Sequence, residues 1–223
     1  MKQTPAHNVV NNELLEMIPP GSRRIVEIGC MQGALARVFR ERHPEVHFTG
    51  VDIDADYARV AAEHCHRAFA ADIEKLDDAT FASLFPSDCW VFGDCLEHLR
   101  DPWALLRRIR AGIDPAGALV ACIPNGQHWS VQMRLATGQF RYEDSGLLDR
   151  THIRWFTRIT MMEMFESTGW RVVAGLTRNL PSSDHETRAL QAVRAMAEAV
   201  GFDPDTAARD STPFQYVFKV VPA

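Results

Sequence analysis

The strongest constraint in this sequence is an alternation. Between residues 24 and 123, short apolar runs at 24–28, 46–51, 67–71, 89–92 and 118–123 are separated by stretches whose apolar residues recur at helical spacing. The runs read as buried strands. Leu35, Val38 and Phe39 mark a helix over 33–43 that ends before Pro44, and Asp54 is placed to cap one carrying Tyr57, Val60 and Ala61. A short helix follows over 77–84. Asp101-Pro102 then joins a cap to an N1 proline, with Leu106, Ile109 and Ile113 following on one face. Such repetition predicts an α/β domain with a mainly parallel, doubly wound sheet, helices on both faces and right-handed crossovers.

The flanks extend this plan. Val10, Leu14 and Met17 place a helix over 6–18, stopped by Pro19-Pro20-Gly21. Residues 124–156 break the period, yet they hold Trp129, Phe140, Tyr142, Trp155 and Phe156. An irregular stretch of that length inside a compact domain is usually functional or partly helical. Thr160-x-x-Glu163 has the spacing of a capping box for a helix through Met161, Met164 and Phe165 to Gly169. Residues 170–176 read as a strand. Ser183-x-x-Glu186 opens a helix with Ala189, Val193, Met196 and Val200 on one face, and 214–221 is the last strand. No linker, repeat or charge block divides the chain. It is read as one domain over 1–223, with an N-terminal helix in 1–20, a substrate-facing insert at 124–156 and an extra helix at 181–205.

Composition narrows the classes. With 223 residues, 46% of them hydrophobic, the chain can bury a core without staples. The net charge of −5 is wrong for a general grip on nucleic acid. Five cysteines, an odd number with no C-x-x-C pair, predict free thiols in a reducing compartment. The first residues lack the apolar stretch of a secretory signal, and no run approaches the ~20 apolar residues of a membrane span. These features predict a cytoplasmic protein with neither a membrane nor a nucleic-acid partner.

In an open parallel sheet, ligands bind beyond the carboxyl ends of the strands. The first strand here ends Val26-Glu27-Ile28-Gly29-Cys30-Met31-Gln32-Gly33. That is neither the G-x-G-x-x-G of dinucleotide binders nor a phosphate loop. A carboxylate at position 27 would repel a pyrophosphate and suits a ligand carrying an ammonium group. The second strand ends with Asp52 and Ile53, an acid placed to accept hydrogen bonds from both ribose hydroxyls. The third ends with Asp72 and Ile73, where a carboxylate and a backbone N–H can read the amino edge of adenine. Three carboxylates at successive strand ends match S-adenosylmethionine.

In these segments, "VEIGCMQG", "GVDID" and "ADI", the sequence resembles the class I S-adenosylmethionine-dependent methyltransferases over about residues 20–175. The resemblance implies a seven-stranded Rossmann-like sheet with its last strand antiparallel and an inserted segment after strand five. It implies that Glu27, Gly29, Cys30, Met31 and Gly33 hold the methionine end. Asp52 and Ile53 would take the ribose, Asp72 and Ile73 the adenine, and Asp94 would also border the cofactor.

After the fourth strand comes Gly93-Asp94-Cys95-Leu96-Glu97-His98. A helical turn over 94–98 would put Asp94, Glu97 and His98 at i, i+3 and i+4 on one face, a half-site for a divalent metal. His152 in "DRTHIRWFTR" is a candidate further ligand, and His128 in "NGQHW" a rival base or ligand. "DCLEH" and "THIRWFTR" resemble the metal-binding stretches of small-RNA 2′-O-methyltransferases and ubiquinone-pathway O-methyltransferases, whose first acid is commonly Glu rather than the Asp found here. "LLDRTHIRWFT" and "IPNGQHW" resemble segments of bacterial methyltransferases of glycan and natural-product pathways more closely.

An alcohol is a poor nucleophile near neutral pH and needs a base such as His98 or His152, or a metal such as Mg2+ that lowers its pKa. Arg134, Arg141, Arg150, Arg154 and Arg158 make the insert mildly basic, which with its aromatics suits a ring-shaped, acidic acceptor. The expected activity is O-methylation of a hydroxyl on a sugar or small natural product. A non-catalytic cofactor-binding protein and an RNA 2′-O-methyltransferase are the alternatives. Oligomeric state is left open.

Overall fold

The computed structural model describes residues 4–5 and 9–223, so residues 6–8 of the expected first helix lie outside the described residues. Seven strands form one sheet: β1 (Arg24–Ile28), β2 (His47–Asp52), β3 (Arg67–Ala70), β4 (Cys89–Gly93), β5 (Ala118–Pro124), β6 (Trp170–Arg178) and β7 (Gln215–Pro222). Their order is β3-β2-β1-β4-β5-β7-β6. Pairing is parallel from β3 through β5, and β7 runs antiparallel to both β5 and β6. The strand order reverses between β1 and β4, which opens a crevice beyond their carboxyl ends.

Period-two alternation along the strands builds two cores. Ile25, Phe48, Cys89, Val91, Val120 and Cys122 face one side. There they meet α1 (Asn12–Met17), α2 (Ala34–Arg42) and α3 (Ala55–Ala61), through Leu14, Leu15, Phe39 and Ala61. Val26, Trp90, Phe92, Leu119 and Ala121 face the other side. They pack on α4 (Asp78–Ala82), α5 (Pro102–Gly112) and α7 (Arg158–Ser167), through Phe81, Leu106, Ile109 and Phe165. Strands buried on both faces are what a doubly wound sheet requires. Leu106 is fully buried against this second core. Leu106→Ala is expected to cost about 2–5 kcal/mol of stability, read as a lower midpoint in urea unfolding with an unchanged slope.

The insert contains α6 (Trp129–Ala136), and its end returns to the sheet where Asn125 pairs with Phe156. Two local readings are corrected and one helix is added. The cap of α7 is Thr157, and its box partner is Thr160: each side chain accepts from the other's backbone N–H, whereas the sequence reading had Thr160 paired with Glu163. The helix expected within 181–205 is α8 (Asp184–Ala199), and a further helix beyond that expectation, α9 (Pro204–Ser211), packs on it. The buried stripe of α8 is Ala189, Val193 and Ala197, while Met196 and Val200 are exposed. Val193 and Ala197 meet Ala207 of α9 and Met133 of α6, so neighbours at i and i+4 chose the buried face. Among the described residues, no helix is long and apolar enough to cross a membrane. All five cysteines are buried free thiols.

Candidate functional site

A cleft of about 1050 Å³ opens beyond the strand ends and is lined by residues of β1, β2, β4, β7, the insert and the N-terminal segment. A second cavity, of about 140 Å³, lies at the opposite strand ends, beside Arg24 and His47, and holds none of the candidate residues.

The cofactor half follows from the turn after β1. Gly29, Met31 and Gly33 all take left-handed backbone, with φ of 73°, 46° and 78°. Glycine is cheap there and methionine is strained, and the turn is closed as Gly29 and Cys30 N–H donate to Val51 O and Gly33 N–H to Cys30 O. Met31 N–H donates to Asp52 Oδ2 at 2.8 Å and Asp54 N–H to Asp52 Oδ1 at 2.9 Å. Each carboxylate oxygen keeps a free lone pair. The Cys30 thiol packs where a Gly50 side chain would otherwise sit. Gly33 starts α2 so close to Ala61 that a Cβ would lie 3.1 Å from the Ala61 Cα.

Glu27 is buried at the base of this loop and lines the cleft, and its Oε2 has no hydrogen-bond partner. Burial and then the Asp52 charge push its pKa up to about 8. A buried carboxyl oxygen without a donor fits an arriving ammonium group. Ile53 is an exposed apolar residue on the cleft wall, and Ile73 is a buried one. Asp72 also lines the cleft, but its carboxylate already accepts the Glu74 N–H and pairs with Lys75 Nζ at 2.6 Å. It also caps the turn Ile73–Lys75.

The second half separates residues that the sequence reading had joined. Asp94 has φ 52° and lies before the turn Leu96–His98 begins, so the expected i, i+3, i+4 face never forms. Its carboxylate is taken by the Gln215 amide. Burial raises its pKa to about 6 against the pull of Arg178. Glu97, His98 and His152 do meet, with ligand atoms all within 4.8 Å of one another and Asp94 outside the group. The insert is held there because Ile153 and Arg154 both donate their backbone N–H to Glu97 O at 3.0 Å.

The protons in this cluster follow from its partners. His98 Nδ1 lies 3.1 Å from Thr151 O, and His152 Nδ1 lies 3.2 Å from Leu147 O. A carbonyl can only accept, so both Nδ1 atoms carry protons and both Nε2 atoms present lone pairs. Those Nε2 atoms lie 3.9 and 3.8 Å from Glu97 Oε1, too far for hydrogen bonds. Neither Glu97 oxygen has a partner. Burial, and then Asp94, holds Glu97 well above the usual carboxylate range, and burial lowers both histidines, His152 to about 4. Three acceptors converging without a donor fit a cation. Each imidazole also donates its other N–H to a carbonyl, as metal-bound histidines do.

His128 and three of the insert arginines have partners within the chain. His128 caps α6 and accepts the Ser130 N–H. Arg134 pairs with Glu143, Arg150 with Asp144 and Arg158 with Asp210. Phe140, Tyr142 and Trp155 pack on one another and do not line the cleft. The cleft arginines are Arg100 and Arg178, and Asp149, Thr151 and Gln215 border it too. None of these five is marked by a local sequence pattern. Arg178 lies at the far end of β6 and Gln215 at the start of β7, and only the antiparallel pairing brings them to the carboxyl ends of the parallel strands.

Against known proteins, a family model described as a methyltransferase domain matches residues 5–174. The chain is 28% identical over 117 residues to the trans-aconitate 2-methyltransferase of Rhodopseudomonas palustris (strain BisB5), which covers 51% of this chain and 43% of the relative. It is 33% identical over 119 residues to an uncharacterized methyltransferase of Mycobacterium tuberculosis (strain ATCC 25618 / H37Rv), covering 50% of this chain and 56% of the relative. The matches thus span about half the length of these curated relatives. Among solved structures, the plantazolicin methyltransferase BpumL in complex with SAH superposes with a TM-score of 0.59 at 13% identity, covering 94% of this chain and 79% of that one. The magnesium protoporphyrin IX methyltransferase of Synechocystis with bound SAH gives 0.56 at 11% identity, covering 90% and 74%. At such identities the likeness is one of fold.

Proposed function

This chain belongs to the class I S-adenosylmethionine-dependent methyltransferases, and from that premise we propose that it methylates a hydroxyl group on a sugar or small natural-product acceptor. The convergence of the unpartnered Glu97 carboxyl with the Nε2 atoms of His98 and His152 carries this reading. S-adenosylmethionine, when bound, supplies an electrophilic methyl group on a sulfonium.

Glu27 receives the ammonium of that cofactor, and the backbone of Gly29 to Gly33 wraps its methionine end. Asp52 accepts from the ribose hydroxyls with the lone pairs that Met31 and Asp54 leave free. Ile53 and Ile73 cover the adenine. The acceptor enters on the side of Asp94, His98, Arg178 and Gln215. Glu97, His98 and His152 would hold a divalent cation such as Mg2+, which lowers the pKa of a nearby hydroxyl and orients it. Without a cation, His98 keeps its Nε2 lone pair as a proton acceptor. Fixed orientation of the two reactants supplies a further part of the rate, on the order of 7–11 kcal/mol.

The test uses the purified chain, labelled S-adenosylmethionine, and a panel of sugar and phenolic acceptors. Label is expected on an acceptor oxygen, lost on chelation with EDTA and restored by Mg2+. Transfer that survives EDTA would leave His98 as a base without a cation. Cofactor binding in calorimetry with no transfer to any acceptor would favour a binding protein instead.

A further inference from the structure

Asp149 is a buried carboxylate in the insert, only 2% exposed. Among the described residues, no lysine or arginine pairs with it. All its partners are N–H and O–H groups. Oδ1 accepts the Thr151 N–H at 2.8 Å and the Thr151 hydroxyl at 2.6 Å, and Oδ2 accepts the Thr4 hydroxyl at 2.9 Å. With no ion pair, these hydrogen bonds are what offset the cost of burying the charge. The Thr151 hydroxyl gives its proton to Asp149, so its lone pairs face outward. One of them lies 3.1 Å from His98 Nδ1.

We propose that Thr151 and Asp149 are positioning residues that fix His98 with its proton on Nδ1 and its Nε2 lone pair aimed at Glu97. The chain runs from the His98 Nδ1–H to the Thr151 hydroxyl and from that hydroxyl to the Asp149 carboxylate. The Thr151 carbonyl alone would accept the same proton but would not polarise it. The charged end of the chain raises the basicity of the far nitrogen, the one that faces the cluster. Carboxylates behind metal-bound histidines act in this way, and their loss typically weakens metal affinity about 10–100-fold. The same carboxylate ties down the N-terminal segment through Thr4, whose carbonyl accepts from the Tyr57 hydroxyl at 3.0 Å across the cleft.

This inference rests on the reading of Glu97, His98 and His152 given above, and its test separates the two. Mn2+ is titrated into wild type, Thr151→Val, Thr151→Ser and Asp149→Asn, with free Mn2+ followed by electron paramagnetic resonance and folding checked by thermal melts. Thr151→Val and Asp149→Asn are expected to lose about 10–100-fold in affinity, while Thr151→Ser, which keeps the hydroxyl, stays near wild type. In the metal-free proteins, imidazole 15N shifts at mildly alkaline pH report the tautomer. His98 is expected as the Nδ1–H form in wild type and Thr151→Ser, with a growing Nε2–H fraction in Thr151→Val. Wild-type affinity and tautomer retained in Thr151→Val would overturn the relay. A wild type that takes up no Mn2+ would refute the cation reading alone, and the tautomer comparison would then decide the relay. If Asp149→Asn fails to fold, the two Thr151 variants decide it.

Discussion

His98→Ala is expected to lower kcat by about 10²–10⁴-fold, the range that a positioned acid–base group contributes, and to leave cofactor affinity near wild type. The split follows from geometry. His98 faces Glu97 and His152, whereas the carboxylates proposed for the cofactor, Glu27 and Asp52, sit at the ends of β1 and β2. Removing the imidazole deletes one of three converging groups and leaves the loop of Gly29 to Gly33 intact. His152→Ala removes a second and is expected to act in the same direction. Calorimetry with S-adenosylhomocysteine beside single-turnover methyl transfer separates the two effects. Full activity in His98→Ala would remove this side chain from the reaction.

Glu27→Gln is expected to weaken cofactor binding by about 2–5 kcal/mol, roughly 30-fold to several thousand-fold, the usual loss when one member of a buried charged pair is truncated. The amide turns a donor toward the incoming ammonium where the wild type offers a lone pair. The pH dependence carries the same signature. Burial first, and the Asp52 charge second, raise Glu27 to about 8, so at neutral pH the empty site is mostly protonated. An ammonium binds the ionised form. Wild-type affinity should therefore rise as pH climbs toward about 8, by up to about tenfold per unit below it. Glu27→Gln should flatten that rise, and a variant that keeps the slope would assign it to another group.

Much of this was legible in the sequence, for identifiable reasons. Strands buried on both faces write themselves as short apolar runs, and Asp54, Asp101 and Ser183 each cap the helix their spacing announced. The turn from Glu27 to Gly33 was readable because left-handed backbone at 29 and 33 leaves glycine as its mark. The helix α9 was not, since its buried side chains are small, with Ala207 and Ala208 in place of a large apolar stripe. The insert was opaque because its arginines and aromatics find partners by irregular loop geometry. Asp94 falls off the helical face expected of it because its left-handed backbone ahead of a short turn breaks the spacing. Thr151 and Asp149 gain their importance from a loop folding back some fifty residues onto His98, which no local pattern announces.

The inward-facing sulfurs have a practical consequence. None of the five cysteines is exposed, and burial pushes the Cys65 and Cys89 thiols up to about 12, with the other three raised as well. Maleimide dyes react with thiolates, so the native chain offers them almost nothing. Val9 is 70% exposed and borders the cleft mouth. A fluorophore attached through Val9→Cys would be a solitary optical reporter beside the entrance, with every native sulfur left in place.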